Sequence, residues 1–269
     1  MKINHNIAAL NTYRQLAANQ ANSAKNLEKL SSGMRINKAA DDAAGLSISE
    51  KMRSQIRGLD VAERNALDGI SLIQTAEGAL SSVTEILQRM RELAVQSSTG
   101  TNTTEDRDAI QTEITQLKLE IDRISDTTEF NKQNLMGANT TFSLMVGANA
   151  AQTIDVAISK MDSAALGLTN VNLTTAQGAN TAITTLDAAL KTVTAQRSSL
   201  GAMQNRLEYT VENLSSMNEN ITAAESRIRD VDMALEMTEY TKNNILNQSA
   251  QAMLAQANQM PQGVLQLLQ

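Results

Sequence analysis

The sequence predicts a mainly α protein, an elongated bundle of long antiparallel, coiled-coil-like helices with a small β-hairpin region. Three observations carry this. Leu186, Val193, Leu200, Leu207, Leu214, Ile221, Ile228 and Leu235 follow one another at intervals of seven, the repeat that keeps one seam facing a partner helix. Met52, Leu59, Ala66, Ile73, Leu80, Leu87 and Ala94 do the same earlier in the chain. The 269 residues include only five aromatics, no Trp and a single Pro. Ala, Leu and Ile must therefore make the core, which suits helices lying side by side better than a rounded globule.

Residues 1–31 place Ile3, Ile7, Leu10, Ala17, Ala21, Ala24, Leu27 and Leu30 at steps of mostly three and four, an amphipathic helix. Ser31, Ser32 and Gly33 stop it. A polar connector follows to about residue 44. The second helix is predicted over about 44–98. Its companion row, Ala62, Gly69, Ala76, Val83 and Met90, is small enough for close helix approach. A third helix, about 104–127, opens at Thr103 with Asp106 three residues on, a capping-box pattern. Its apolar face is Ile110, Ile114, Leu117, Ile121 and Ile124, and the short connection favours an antiparallel return.

From Phe130 the period changes to two. Phe142, Leu144 and Val146, then Ile154, Val156 and Ile158, alternate with polar residues around a Gly147 turn. This predicts a β-hairpin over about 141–159. Residues 162–178 read as irregular. The longest helical region spans about 178–228. The run from Leu186 to Leu235 would be roughly 73 Å of helix. Its companion row is mixed (Leu190, Arg197, Gln204, Val211, Asn218), so only half of it faces a partner. Residues 243–269 carry no charge. Ile245, Ser249, Met253 and Met260 keep helical spacing, Pro261 and Gly263 read as a break, and Val264, Leu265, Leu267 and Leu268 form an apolar end.

The net charge of −6 argues against a general nucleic-acid binder. No run of apolar residues approaches the ~20 needed to cross a bilayer, and no cleavable signal peptide is visible. There is no Cys and one His, His5, which excludes a multi-histidine metal site. Asp41 and Asp42 read as caps of the following helix rather than as a cation site. No catalytic constellation, cofactor motif or metal motif emerges, so the expectation is a non-enzyme without cofactors. The ends differ in charge. Residues 1–44 hold six basic and three acidic side chains, net +3, and residues 229–269 hold two and four, net −2. Two weakly charged amphipathic ends of opposite sign suit pairing with each other and then with other copies. A head-to-tail contact that does not close builds an open polymer.

The residues then resemble a known family. Ile3-Asn-His-Asn-Ile-Ala-Ala-Leu10, the run from Leu30 to Leu46, Leu87–Gln96, Arg227-Ile-Arg-Asp230, Ala252–Asn258, Pro261-Gln262 and the terminal leucines are similar to bacterial flagellin. The resemblance implies a filament subunit, exported unfolded through the flagellar type III apparatus and serving swimming motility. It assigns residues 1–43 with 229–269 to an inner-tube domain, disordered in the free monomer, and 44–228 to a rod domain, with no sizeable outer domain. Polymerisation and terminal-helix packing would fall on Ile3, Ile7, Leu10, Ile245, Met253, Val264, Leu265, Leu267 and Leu268.

The implied partners are other copies of the chain, the flagellin export chaperone, and the filament cap and hook-junction proteins. Host Toll-like receptor 5 would bind through Arg89, Leu93 and Glu113, and cytosolic flagellin receptors would read the terminal leucines. No nucleic acid and no membrane insertion are implied. Two alternatives stand beside this reading: a hook–filament junction protein, and a helical binding module that does not polymerise.

Overall fold

A computed structural model describes the backbone of residues 6–267 and the side chains of residues 6–260. The elements are α1 (Ile7–Ser32), α2 (Ala43–Ser98), α3 (Thr104–Thr127), β1 (Glu129–Phe130), β2 (Gln133–Asn134), β3 (Thr140–Met145), β4 (Thr153–Ile158), a 3-10 turn (Leu168–Asn170), α4 (Ala176–Arg229) and α5 (Met233–Leu267). The chain divides into two compact units, residues 55–219, and residues 1–54 together with 220–269.

In the unit of residues 55–219, α2 and α4 run antiparallel. Ion pairs mark the register: Arg91 Nε to Asp187 at 2.7 Å and Arg197 Nη2 to Glu77 at 3.5 Å. Both heptad rows of α2 turn inward. Ala66, Ile73, Leu80, Leu87 and Ala94, and beside them Ala62, Ala76, Val83 and Met90, are buried, as are Leu186, Val193, Leu200, Leu207 and Leu214 on α4. The capping box forms as the sequence implies: the Asp106 amide donates to Thr103 Oγ1 while Asp106 accepts from the Thr103 amide. Helix α3 then returns along α2 and buries Ile110, Ile114 and Ile121.

Strands β3 and β4 pair antiparallel, with Phe142 opposite Val156 and Leu144 opposite Ile154. Ile154, Val156 and Ile158 enter the core. Gly69 leaves room for the Leu144 side chain, whose methyl lies where a Cβ would sit. Asn65 Nδ2 donates to the Met145 carbonyl at 3.1 Å on the same contact.

The irregular stretch after β4 is packed rather than loose. Met161, Leu166, Leu168, Val171 and Leu173 are all buried. Polar groups hold its backbone: Ser97 Oγ donates to the Leu173 carbonyl at 2.7 Å, and the Leu173 amide donates to Gln111 Oε1 at 2.6 Å. Lys118 donates to the Val171 carbonyl at 3.2 Å, and burial lowers its pKa. A strap of this kind has no period, so only its contacts reveal it.

In the other unit α1 and α5 pack antiparallel. Asn6 bonds to Ala257, Ser23 to Asn247, and Lys29 lies 3.8 Å from Glu236. Gly33, at φ 70°, closes α1 through a bond to the Lys29 carbonyl, a conformation glycine adopts without steric cost. The connectors after α1 and after α4 then clasp. Met34 and Asp230 form an antiparallel bridge. The Arg35 amide donates to the Arg229 carbonyl at 2.7 Å and the Val231 amide to the Gly33 carbonyl at 3.1 Å. Arg229 Nη1 donates to Glu50 at 2.6 Å and to the buried Ser49 hydroxyl at 3.1 Å. Asp42 caps α2 by accepting from the Gly45 amide at 2.8 Å.

Two sequence expectations fail here. The seven-residue repeat from Leu186 to Leu235 is not one helix, because α4 ends at Arg229 and α5 begins at Met233. Pro261 does not end the last helix, which continues to Leu267. A proline inside a helix removes one i→i−4 bond, and the neighbouring turns carry α5 past the gap.

Candidate assembly surface

The seam between α1 and α5 is largely polar. The residues of α1 that bury are Leu16, Asn19 and Asn26, and the residues of α5 that bury are Glu236 and Ala257. The Asn26 amide, oriented to satisfy its neighbours, donates to Glu236 Oε1 and to the Asn22 carbonyl and accepts from Asn243 Nδ2, each at 3.1 Å. Asn247 Nδ2 donates to Ser23 Oγ at 3.0 Å. Buried amides of this kind fix the register of a helix pair and contribute less than apolar contacts would.

Leu16 and Ala257 are its buried apolar members, and many of the other apolar side chains lie outside it. Ile7 is 67 % exposed, Leu10 58 %, Ile245 57 % and Met253 56 %. These four do not pack α1 on α5. Leu246, Met253 and Met260 recur every seven residues on one face of α5, and all are exposed, as is Leu235. A shallow groove on α5 is lined by Met237, Thr238, Thr241, Lys242 and Ile245. Apolar surface left uncovered in this quantity marks an interaction site. The sequence pattern identified these residues but not the direction they face. Ile3, Leu268 and the side chains of Val264, Leu265 and Leu267 lie outside the described residues.

A second candidate surface lies on the α2–α3 face. Arg89 extends across the two helices: Nε and Nη2 approach Glu113 Oε1 at 3.1 and 3.0 Å, and Nη1 approaches Glu92 at 3.3 Å. The hydrogen bond that Arg89 donates to Glu113, then the one it donates to Glu92, raises its pKa. Leu93 is 2 % exposed and belongs to the core beneath. The structure thus brings Arg89 and Glu113 together at the surface and places Leu93 under them. Beside Arg89 runs a groove floored by Gly78, Ala79, Ser82, Ile86 and Leu117.

Among the described residues no helix is long and apolar enough to cross a membrane, and no group of three acidic, His or Cys side chains is arranged to hold a metal ion.

Comparison with known proteins matches both ends of the chain. Residues 3–141 match the bacterial flagellin N-terminal helical region and residues 183–268 match the bacterial flagellin C-terminal helical region. The chain belongs to the bacterial flagellin family. It is 58 % identical to a flagellin of Halalkalibacterium halodurans over 271 residues, with all of both chains covered. It is 52 % identical to the flagellar filament 33 kDa core protein of Treponema phagedenis over 285 residues, again with all of both chains covered. A solved structure assigned to a flagellar hook-associated protein of Vibrio parahaemolyticus aligns with a TM-score of 0.61, 71 % of this chain and all of that one, at 14 % identity. At that identity the likeness concerns the fold alone.

Proposed function

We propose that this flagellin is a structural subunit that polymerises with copies of itself into the flagellar filament, outside the cell, and so serves swimming. The observation that carries the reading is the arrangement of the terminal helix pair. Its seam is largely polar, and large apolar side chains, Leu246, Met253 and Met260 among them, are exposed. A surface of that kind gains its burial energy only from neighbours. At roughly 25 cal/mol per Å² of apolar area, covering Ile7, Leu10, Leu235, Ile245, Leu246, Met253 and Met260 contributes favourably to a contact between copies. The relative named as a filament core protein in Treponema phagedenis matches along its whole length, which favours this reading over the hook-junction one.

The same family membership supports the finer proposals. The chain leaves the cell unfolded through the flagellar type III apparatus, with an export chaperone on the C-terminal helix, and the polymer is bounded by hook-junction and cap proteins. Host Toll-like receptor 5 would meet Arg89 and Glu113 at the surface. Leu93 would serve that contact indirectly, by holding α2 and α3 in place. Cytosolic receptors would read Val264, Leu265, Leu267 and Leu268.

Sedimentation and electron microscopy of seeded protein test the central proposal. The unmodified chain should form filaments. Met253→Asp should leave the soluble fraction high while far-ultraviolet circular dichroism stays helical. Normal filaments from Met253→Asp, or an unmodified chain that stays monomeric, would overturn it.

A further inference from the structure

We infer that Asn6 is a positioning residue that completes the hydrogen bonding of α5 at the site where Pro261 cannot, and so fixes how far the two chain ends overlap. In an α-helix the amide of residue 261 would donate to the carbonyl of residue 257. Pro261 has no N–H, yet α5 runs through it to Leu267. The Ala257 carbonyl is thus left without its intrahelical donor, and Ala257 is a buried residue. That carbonyl accepts from Asn6 Nδ2 at 2.7 Å, across 251 residues of sequence.

The same side chain has a second task. Asn6 is the N-cap of α1, and its Oδ1 accepts from the Ala9 amide at 3.1 Å. One amide group therefore satisfies an orphan donor at the start of α1 and an orphan acceptor inside α5. Asn combines an acceptor and a donor at this length. Asp offers only acceptors, and Ser is too short to reach both.

The consequence is positional. Elsewhere along the seam the polar bonds join side chains, which can exchange partners if α5 slides by a turn. The Asn6 bond cannot follow such a slide, because every other carbonyl in the middle of α5 already has its own amide donor. Pro261 marks a single carbonyl, and Asn6 finds it. The inference goes beyond the filament reading and does not need it, since both partners lie in one chain.

A two-by-two set of full-length chains tests it: unmodified, Asn6→Ser, Pro261→Ala, and both together. Ser keeps the N-cap of α1 and removes the reach to Ala257. Ala at 261 restores the N–H that Ala257 lacks. Hydrogen exchange is followed in the peptide covering residues 250–260, on assembled protein, or on the free chain if the protein does not assemble. Asn6→Ser should speed exchange there by about tenfold when Pro261 is present, the effect of one unsatisfied buried acceptor. With Pro261→Ala the same substitution should change it by less than about twofold. An equal effect of Asn6→Ser in both backgrounds, or none in either, would overturn the inference. Failure of the unmodified chain to assemble would count against the filament reading alone.

Discussion

Two antiparallel helix pairings in this chain bury opposite kinds of residue. Between α2 and α4 the seam is Ile73, Leu80 and Leu87 against Val193, Leu200 and Leu207. Between α1 and α5 it is mostly polar, Asn19, Asn26 and Glu236 with Leu16 and Ala257, while Ile7, Leu10, Ile245 and Met253 remain exposed. Helical propensity does not separate the two regions; the side chains turned inward do. An apolar seam draws its stability from the water it excludes. A polar seam sets geometry, because each buried amide must find its partner or lose free energy. The first pairing is finished within one chain. The second specifies a register and leaves its apolar area for other copies to cover.

The sharpest way to break this contrast is to truncate equivalent leucines on each side of it. Leu87→Ala should destabilise the 55–219 unit by about 3 kcal/mol, from lost transfer energy and the cavity left behind. Leu246→Ala should cost less than about 0.5 kcal/mol in the free chain, since that side chain faces outward. Denaturant titration of the monomer measures both, and equal costs would refute the distinction.

A smaller effect sharpens the polar side. Arg229→Ala removes the bonds to Glu50 and Ser49 and leaves the buried Ser49 hydroxyl with its bond to Glu225 alone. The expected cost is about 1–3 kcal/mol, located in the unit of residues 1–54 and 220–269. Hydrogen exchange confined to the clasp at residues 33–36 and 228–232 checks it; a change confined to the 55–219 unit would contradict it.

Much of this was legible because it repeats. The seven-residue rows of α2 and α4 name the core of the larger unit residue by residue, and Thr103 with Asp106 places the start of α3. The alternation around Phe142 and Val156 gives the hairpin. What stayed hidden has no period, or works against the usual one. Met161, Leu166, Leu168, Val171 and Leu173 are spaced irregularly because a strap follows the surface it covers. The Met34–Asp230 bridge joins two connectors almost two hundred residues apart, and neither carries a strand pattern.

The terminal seam misleads for a different reason. Apolar spacing normally marks the inward face of a helix, and in α1 and α5 it marks surface on which the chain itself places nothing. Pro261 reads as a break because the donor that compensates for it, Asn6, stands at the opposite end of the sequence. At the second candidate surface Arg89, Leu93 and Glu113 entered through the family resemblance, and neither the Arg89–Glu113 ion pair nor the depth of Leu93 was legible. The spacing of Leu93 at sevens from Leu72, Ala79 and Ile86 was the available signal.

The central claim is that the terminal helices are completed by other copies while the core of the larger unit closes within one chain. Hydrogen exchange of the full-length protein, compared peptide by peptide before and after assembly, tests it most directly. Protection in α1 and α5 should rise by at least about a hundredfold on assembly, from near the fraying end of the range toward the global limit. Protection in the buried rows of α2, α3 and α4 within residues 55–219 should change by less than about threefold. Terminal helices already as protected in the monomer as Leu80 and Leu200, with no further gain on assembly, would contradict the account.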